Sequence, residues 1–117
     1  AAASQGYNYS TDASCNFTAT GDVQSGADPL VGPLTNNGGL TSTRLPAATS
    51  PLLNRIPSGD CQDGIGTGVT TDQRGITRPQ GVGCDVGAVE VAVIVPTPPG
   101  TPGTAPDAVV LAPRFTG

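Results

Sequence analysis

Two aspartates and two arginines are the residues of this chain best suited to chemistry, because they lie within one short segment. They are Asp72, Arg74, Arg78 and Asp85. Two carboxylates at a suitable separation can act as the acid and base of glycoside cleavage, and an adjacent arginine can bind an acidic sugar. The same four groups can instead form a network of arginine–carboxylate hydrogen bonds that holds irregular backbone in place. The residue types alone leave both interpretations open.

Three cysteines offer a second kind of chemistry, the disulfide bond. The chain contains Cys15, Cys61 and Cys84, so three single pairings exist and each leaves one cysteine over. We predict the pair Cys61 and Cys84, which closes a loop of about 24 residues and contributes roughly 3 kcal/mol on the loop-entropy model. Cys15 then stays free or pairs outside this segment.

Metal and cofactor chemistry is disfavoured by the composition. The chain has no histidine and no C-x-x-C spacing, which argues against zinc. Asp60 and Asp63 lie in a Gly-rich loop, but this loop lacks the residue order and terminal glutamate of an EF-hand. We therefore predict no cofactor and no metal site. Histidine, the usual acid and base at neutral pH, is absent as well, and we assign no catalytic residue.

Charge and composition exclude further classes of partner. Nine acidic residues face five arginines and no lysine, so no basic stripe is available to bind nucleic acid. Leu, Ile, Val and Phe together number 24 of 117 residues, which predicts a small core. No run of about 20 apolar residues is present, so we predict no membrane span.

Short strands are the elements expected to position these residues. Prolines at 29, 33, 46 and 51 exclude a long helix between residues 28 and 54, and Asn-Asn-Gly-Gly at 36 to 39 predicts a turn. Alternating valines from Val86 to Val95, interrupted by Glu90, predict a strand with one apolar side. The chain is therefore expected to be all-β.

A Pro-rich linker and an isolated apolar segment follow this strand. Residues 96 to 106 predict an extended linker, which would end the compact domain of residues 1 to 95. Residues 107 to 117 form a tail with one predicted strand, which consists of Asp107, Ala108, Val109, Val110, Leu111 and Ala112. A tethered apolar strand without a local hairpin partner is expected to dock on a sheet edge, in its own chain or in a neighbouring one.

Three stretches carry a resemblance to a known family. They are GYNYSTDASCNFTATGD, DPLVGPLTNNGGLTSTRLPAATSPLLN and TTDQRGITRPQGVGCDVGAVEV. Together they resemble the C-terminal region of bacterial secreted or surface right-handed parallel β-helix proteins, which are pectin-lyase-like and of the choice-of-anchor type. Arg44 and Asn54 depart from this pattern, since they stand where the family has His and Asp.

The resemblance implies a fold and a location. It implies that residues 1 to 95 form a short right-handed parallel β-helix segment, a solenoid end with irregular loops, within a larger solenoid. It also implies an extracellular or cell-surface protein of bacterial origin. Because the family uses the segment around residues 70 to 91 as a terminus, the resemblance favours the structural interpretation of the four charged residues.

Two functions from different classes follow. The first is a non-catalytic structural or adhesive module, with a filament subunit as one form of it, which assembles by coil stacking and strand exchange. Its partners would be copies of itself, upstream coils of its own chain or a cell-surface glycan. Concentration-dependent oligomers, weakened by deleting residues 107 to 117 or by Val110→Asp, are expected. The alternative is a polysaccharide-binding or polysaccharide-degrading domain.

Two N-x-[ST] sequons add candidate glycosylation sites, with Asn8 and Asn16 as the acceptors. In a typical bacterial source we expect neither asparagine to be modified.

Overall fold

The computed structural model describes residues 3 to 92, and these contain short strands joined by turns and irregular backbone. Strand β1, Val31–Thr35, pairs with strand β2, Thr43–Pro46. Strand β3, Ile56–Pro57, leads into a 3-10 turn at Ser58–Asp60 and pairs with strand β4, Gly83–Cys84. The structure therefore contains two separate two-stranded sheets in the order β1-β2 and β3-β4.

Both sheets are antiparallel. In the first, Val31 pairs with Pro46 and Leu34 with Arg44, and a bulge between Val31 and Leu34 shifts the register. The turn between these strands contains Gly38 at a φ of 96°, a conformation that glycine adopts without strain. The predicted turn at residues 36 to 39 therefore has a glycine where the backbone adopts a positive φ.

The second sheet depends on a glycine that no other residue could replace without movement. A Cβ at Gly83 would lie 2.4 Å from the carbonyl oxygen of Ile56, inside the contact limit for carbon and oxygen. Because Gly83 pairs with Pro57, the missing side chain lets β4 approach β3 closely. This pairing places Cys84 beside Ile56, and it fixes one half of the disulfide described below.

The predicted parallel β-helix is wrong. No stacked parallel strands occur among residues 3 to 92, where the one parallel contact is an isolated bridge between Tyr9 and Val23. A β-helix coil needs several inward apolar side chains, and here Leu34 and Leu40 are exposed instead. The buried hydrophobic residues are Leu52, Cys84 and Val89. So small an apolar core cannot fill a stack of coils.

The predicted valine strand is also not formed over its described part, residues 86 to 92. Carboxylate side chains accept the hydrogen bonds that a partner strand would otherwise accept. The amides of Glu90 and Val91 donate to the carboxylates of Asp72 and Asp85, at 2.9 and 2.7 Å. Because these amides already have acceptors, they do not require hydrogen bonds to a neighbouring strand.

The remaining predictions about chain organisation concern residues that lie outside the described part of the chain. These are the end of the predicted strand at Val95, the linker at 96 to 106 and the tail at 107 to 117. Among residues 3 to 92, no helix is long and apolar enough to cross a membrane.

Candidate functional site

Asp72 is the most heavily hydrogen-bonded carboxylate of the structure, and its side chain is fully buried. Its Oδ1 accepts hydrogen bonds from the amides of Arg74 and Ile76, at 2.7 and 2.9 Å. Its Oδ2 accepts from the amide of Glu90 at 2.9 Å and from Nε of Arg74 at 3.0 Å. These hydrogen bonds connect the turn at residues 72 to 76 to the segment that contains Glu90, which lies 18 residues after Asp72.

Arg74 extends this connection to a third segment. Besides its ion pair with Asp72 at 2.9 Å, the guanidinium donates to the carbonyl oxygen of Glu90 at 2.8 Å and to that of Asn37 at 3.3 Å. The backbone of Arg74 also lies against Gly39, where an added Cβ would come within 2.8 Å of the Arg74 Cα. The turn between β1 and β2 is therefore held against the charged segment.

Asp85 also accepts hydrogen bonds from distant backbone amides, and within residues 3 to 92 its carboxylate forms no ion pair. Its Oδ1 accepts from the amide of Asn54 and its Oδ2 from the amide of Val91, both at 2.7 Å, and the residue is 1% exposed. Asn54 has a positive φ of 53° and in turn accepts a hydrogen bond from the amide of Gly83 on its Oδ1. The chain before β3 is thereby joined to both sides of β4.

Glu90 is a third buried carboxylate, with 1% of its surface exposed. Its Oε1 accepts from the amide of Gln80 and its Oε2 from the amide of Asp85, both at 3.0 Å. The guanidinium of Arg78 lies 3.4 Å from the same Oε2 and donates to the carbonyl oxygens of Asp85 and Gly87. The Nε of Arg78 is buried without a partner among residues 3 to 92, so its burial cost is only partly offset.

The structure therefore brings all four predicted charged residues into one cluster, but with a different pairing from a simple set of arginine–aspartate bridges. Asp72 pairs with Arg74, whereas Arg78 reaches the backbone carbonyl of Asp85 and pairs with Glu90. We call Asp72, Arg74, Arg78, Asp85 and Glu90 the charge cluster. Each of its six carboxylate oxygens accepts at least one backbone amide.

Sequence reasoning missed Glu90 as a member of the cluster. It assigned this residue to a strand face shared with apolar residues and treated it as an interruption. A single carboxylate within the apolar run from Val86 to Val95 was the available signal, because a charge on a buried segment requires a partner.

A disulfide joins Cys61 to Cys84, the predicted pair, with a Cα separation of 6.0 Å. Cys84 is completely buried and lies next to Asp85, so the bridge connects the exposed loop after the 3-10 turn directly to the charge cluster. Cys15 is a free, half-buried cysteine. Residues 3 to 92 contain no group of three or more His, Cys, Asp or Glu side chains arranged to hold a metal ion.

An open cleft of about 830 Å³ lies between the N-terminal segment and the disulfide loop. Its polar wall includes the phenol of Tyr7, which donates a 2.6 Å hydrogen bond to Asp60, and the side chains of Gln62 and Asp63. This hydrogen bond raises the pKa of the Tyr7 phenol above its ordinary value, and burial and the charge of Asp60 act in the same direction. A tyrosine phenol is protonated at neutral pH in any case, so Tyr7 is the donor of this hydrogen bond.

The two sequon asparagines differ in their surroundings. Asn8 is half-buried, and its side-chain amide donates to Ser4 at 2.7 Å and to Asp22 at 3.2 Å. Asn16 is exposed and has a φ of 52°. Glycosylation of either residue stays a prediction. The predicted assembly strand, Asp107 to Ala112, lies outside the described residues.

The hydrogen bonds of Asp72 predict a dependence of stability on pH. Burial alone would raise the pKa of this carboxyl, but the amides of Glu90, Ile76 and Arg74, with the Arg74 side chain, hold its pKa below the ordinary 3.8. The unfolded chain therefore binds the proton more tightly than the folded chain. The contribution of Asp72 is complete above its unfolded pKa and is lost as the pH falls through the lower folded value.

We expect the free energy of unfolding, measured by urea titration at a series of pH values, to fall below about pH 4. An Asp72→Asn variant should show a smaller fall over the same range. An equal fall in both chains would show that Asp72 does not contribute to the acid dependence.

Comparison with known proteins identifies no relative: no family model, no curated protein and no solved structure matches this chain. The resemblance of its three sequence stretches to β-helix proteins accordingly stays a prediction.

Proposed function

We propose that this chain is a non-catalytic extracellular module with a structural or adhesive role. The observation that carries the proposal is the use of all six carboxylate oxygens in the charge cluster as acceptors for backbone amides. A general acid or base must reach a proton on its substrate, and these oxygens are buried and already occupied. We therefore assign the charge cluster the role of binding backbone amides of its own chain.

The disulfide supports the extracellular part of the proposal. Such bonds persist in oxidising compartments, and small secreted domains with little apolar core depend on them. Here the described core has three buried hydrophobic residues, one of which is the disulfide cysteine Cys84. The bridge and the charge cluster together replace the apolar packing that a larger core would supply.

The form of assembly must differ from coil stacking, because the described residues contain no coils. In a surface module of this kind, the loops would be exposed to partners, and the charge cluster would fix their conformation. Exchange of residues 107 to 112 between chains is the form of assembly that the sequence still allows.

Incubation with neutral and acidic polysaccharides tests the absence of catalysis. We expect no reducing ends and no unsaturated products from the unsubstituted chain. Turnover that Asp85→Asn abolishes, at an unchanged free energy of unfolding, would contradict the proposal and assign Asp85 a catalytic role. Loss of stability in this variant without any turnover is the expected result.

A second candidate function, binding of polysaccharide, is favoured by the cleft. The chain has four aromatic residues, and two of them, Tyr7 and Phe17, line the cleft together with polar side chains. Aromatic faces and amide or carboxylate side chains are suited to sugar rings and hydroxyl groups. The arginines proposed from the sequence for this role are less suited, because Arg74 and Arg78 bind backbone carbonyls.

Exposed cleft residues allow a test that preserves the fold. If the chain binds a glycan here, Asp60→Ala and Gln62→Ala should each weaken binding at least about tenfold in calorimetry, which corresponds to about 1.4 kcal/mol. Asp28→Ala, outside the cleft, is the matched control. Binding that survives both cleft substitutions would exclude this site.

A further inference from the structure

We propose that residues 107 to 112 of the same chain cover an apolar groove beside the first sheet. This groove of about 280 Å³, here called the β1 groove, lies between the β1-β2 sheet and residues 86 to 89. Its apolar lining consists of Val31, Leu34, Pro46, Leu52, Val86, Ala88 and Val89. The proposal stands on this groove and does not depend on the function proposed above.

The sheet side of the groove exposes apolar side chains that no other described residue covers, beside the polar Thr43 and Arg44. Val31 pairs with Pro46 and Leu34 with Arg44, and all four residues line the groove, since directly paired residues share a face of an antiparallel sheet. Val31 is 40% exposed and Leu34 is 63% exposed. Across the groove, Val89 is buried with 2% of its surface exposed, whereas Ala88 is exposed.

The chain beyond the described residues begins close to the groove, which favours a segment of the same chain as the occupant. The described residues stop at Ala92, three positions after Val89, which lines the groove. The connection from residue 93 to residue 106 has 14 residues and is rich in proline. Extended, it reaches roughly 43 Å, and a tether of this kind supplies an effective concentration in the millimolar range. A second copy would have to compete with that concentration.

The chemistry of the segment matches that of the groove. Residues 107 to 112 contain one charge, Asp107, and otherwise only Ala, Val and Leu. An extended segment places Val109 and Leu111 on one side, as the side chains that would enter the groove. Arg44 lines the groove and donates to the carbonyl oxygen of Gly32, and within residues 3 to 92 it makes no ion pair. The groove thus offers a cation to the acidic start of the segment.

Hydrogen exchange of the full chain tests this proposal, compared with a chain that ends at Pro106. We expect the amides of Val31, Gly32, Leu34 and Thr35 and of residues 86 to 89 to exchange about tenfold faster in the shortened chain. The amides of residues 56, 83 and 84 should be unchanged. Leu111→Asp in the full chain should have the same effect. Thr104→Asp adds the same charge within the connection and should leave the exchange unchanged.

Two results would overturn the proposal. The first is identical exchange of residues 31 to 35 in all four chains, which would show that the segment does not cover the groove. The second is protection that increases with protein concentration in a species of dimeric mass, which Leu111→Asp converts to a monomer. That result would assign the groove to the segment of a second copy.

Discussion

Asp72→Ala is expected to lower the free energy of unfolding by about 3 to 5 kcal/mol, the range for removing one partner of a buried ion pair. The substitution deprives the amides of Arg74, Ile76 and Glu90 of their acceptor and leaves the Arg74 guanidinium without its carboxylate. Each buried donor left without an acceptor adds to the cost. Small domains have unfolding free energies of about 5 to 15 kcal/mol, so a large share of the stability would be lost.

Urea unfolding followed by circular dichroism measures this effect, and Asp60→Ala is the matched control. Asp60 is exposed, and its described side-chain contact is the hydrogen bond from Tyr7. We expect the control to change the free energy of unfolding by less than about 1 kcal/mol. Equal, small losses in the two variants would refute the structural role assigned to Asp72.

Loss of the disulfide is the second large effect. In a chain with Cys61→Ala and Cys84→Ala, we expect the free energy of unfolding to fall by about 3 kcal/mol, because the bridge closes a loop with a sequence separation of 23. The smaller side chain at the fully buried position 84 adds a cavity cost. Together with the small apolar core, this loss should leave the chain largely unfolded at 37 °C.

Unfolding of the unsubstituted chain with and without reductant provides an independent measurement of the same quantity. Reduction should lower the free energy of unfolding by about 3 kcal/mol, without the cavity cost that the alanine at position 84 adds. Cys15→Ala retains the bridge and is the control, with no sensitivity beyond that of the parent chain. A reduced chain as stable as the oxidised chain would show that the bridge does not contribute to the fold.

Some of this structure could be predicted from the sequence, where the signal was local. The charged residues and glycines within residues 72 to 87 predict turns that are held by side-chain hydrogen bonds. The cysteine spacing predicts the disulfide pair that the structure forms. Strand direction could not be predicted in this way, because alternation identifies a strand but not the orientation of its neighbour. The β-helix prediction came instead from the family resemblance, and the antiparallel pairing of both sheets within residues 3 to 92 overturns it.

The fate of the valine segment shows a second limit. Alternating residues from Val86 onwards have the same pattern whether their amides bond to a neighbouring strand or to carboxylates distant in sequence. The choice depends on Asp72, which lies 18 residues from the amide of Glu90 that it binds. The position of the Asp72 side chain in the folded chain determines whether these amides bond to carboxylates or to a neighbouring strand.

Amide hydrogen exchange of Glu90 and Val91, observed by NMR in the native chain, tests the central claim most directly. These amides donate to the carboxylates of Asp72 and Asp85 rather than to a strand. If the charge cluster holds the fold, they should exchange as slowly as the Cys84 amide, at a rate set by global unfolding. Exchange within about tenfold of the unstructured rate, beside a protected Cys84, would contradict the claim.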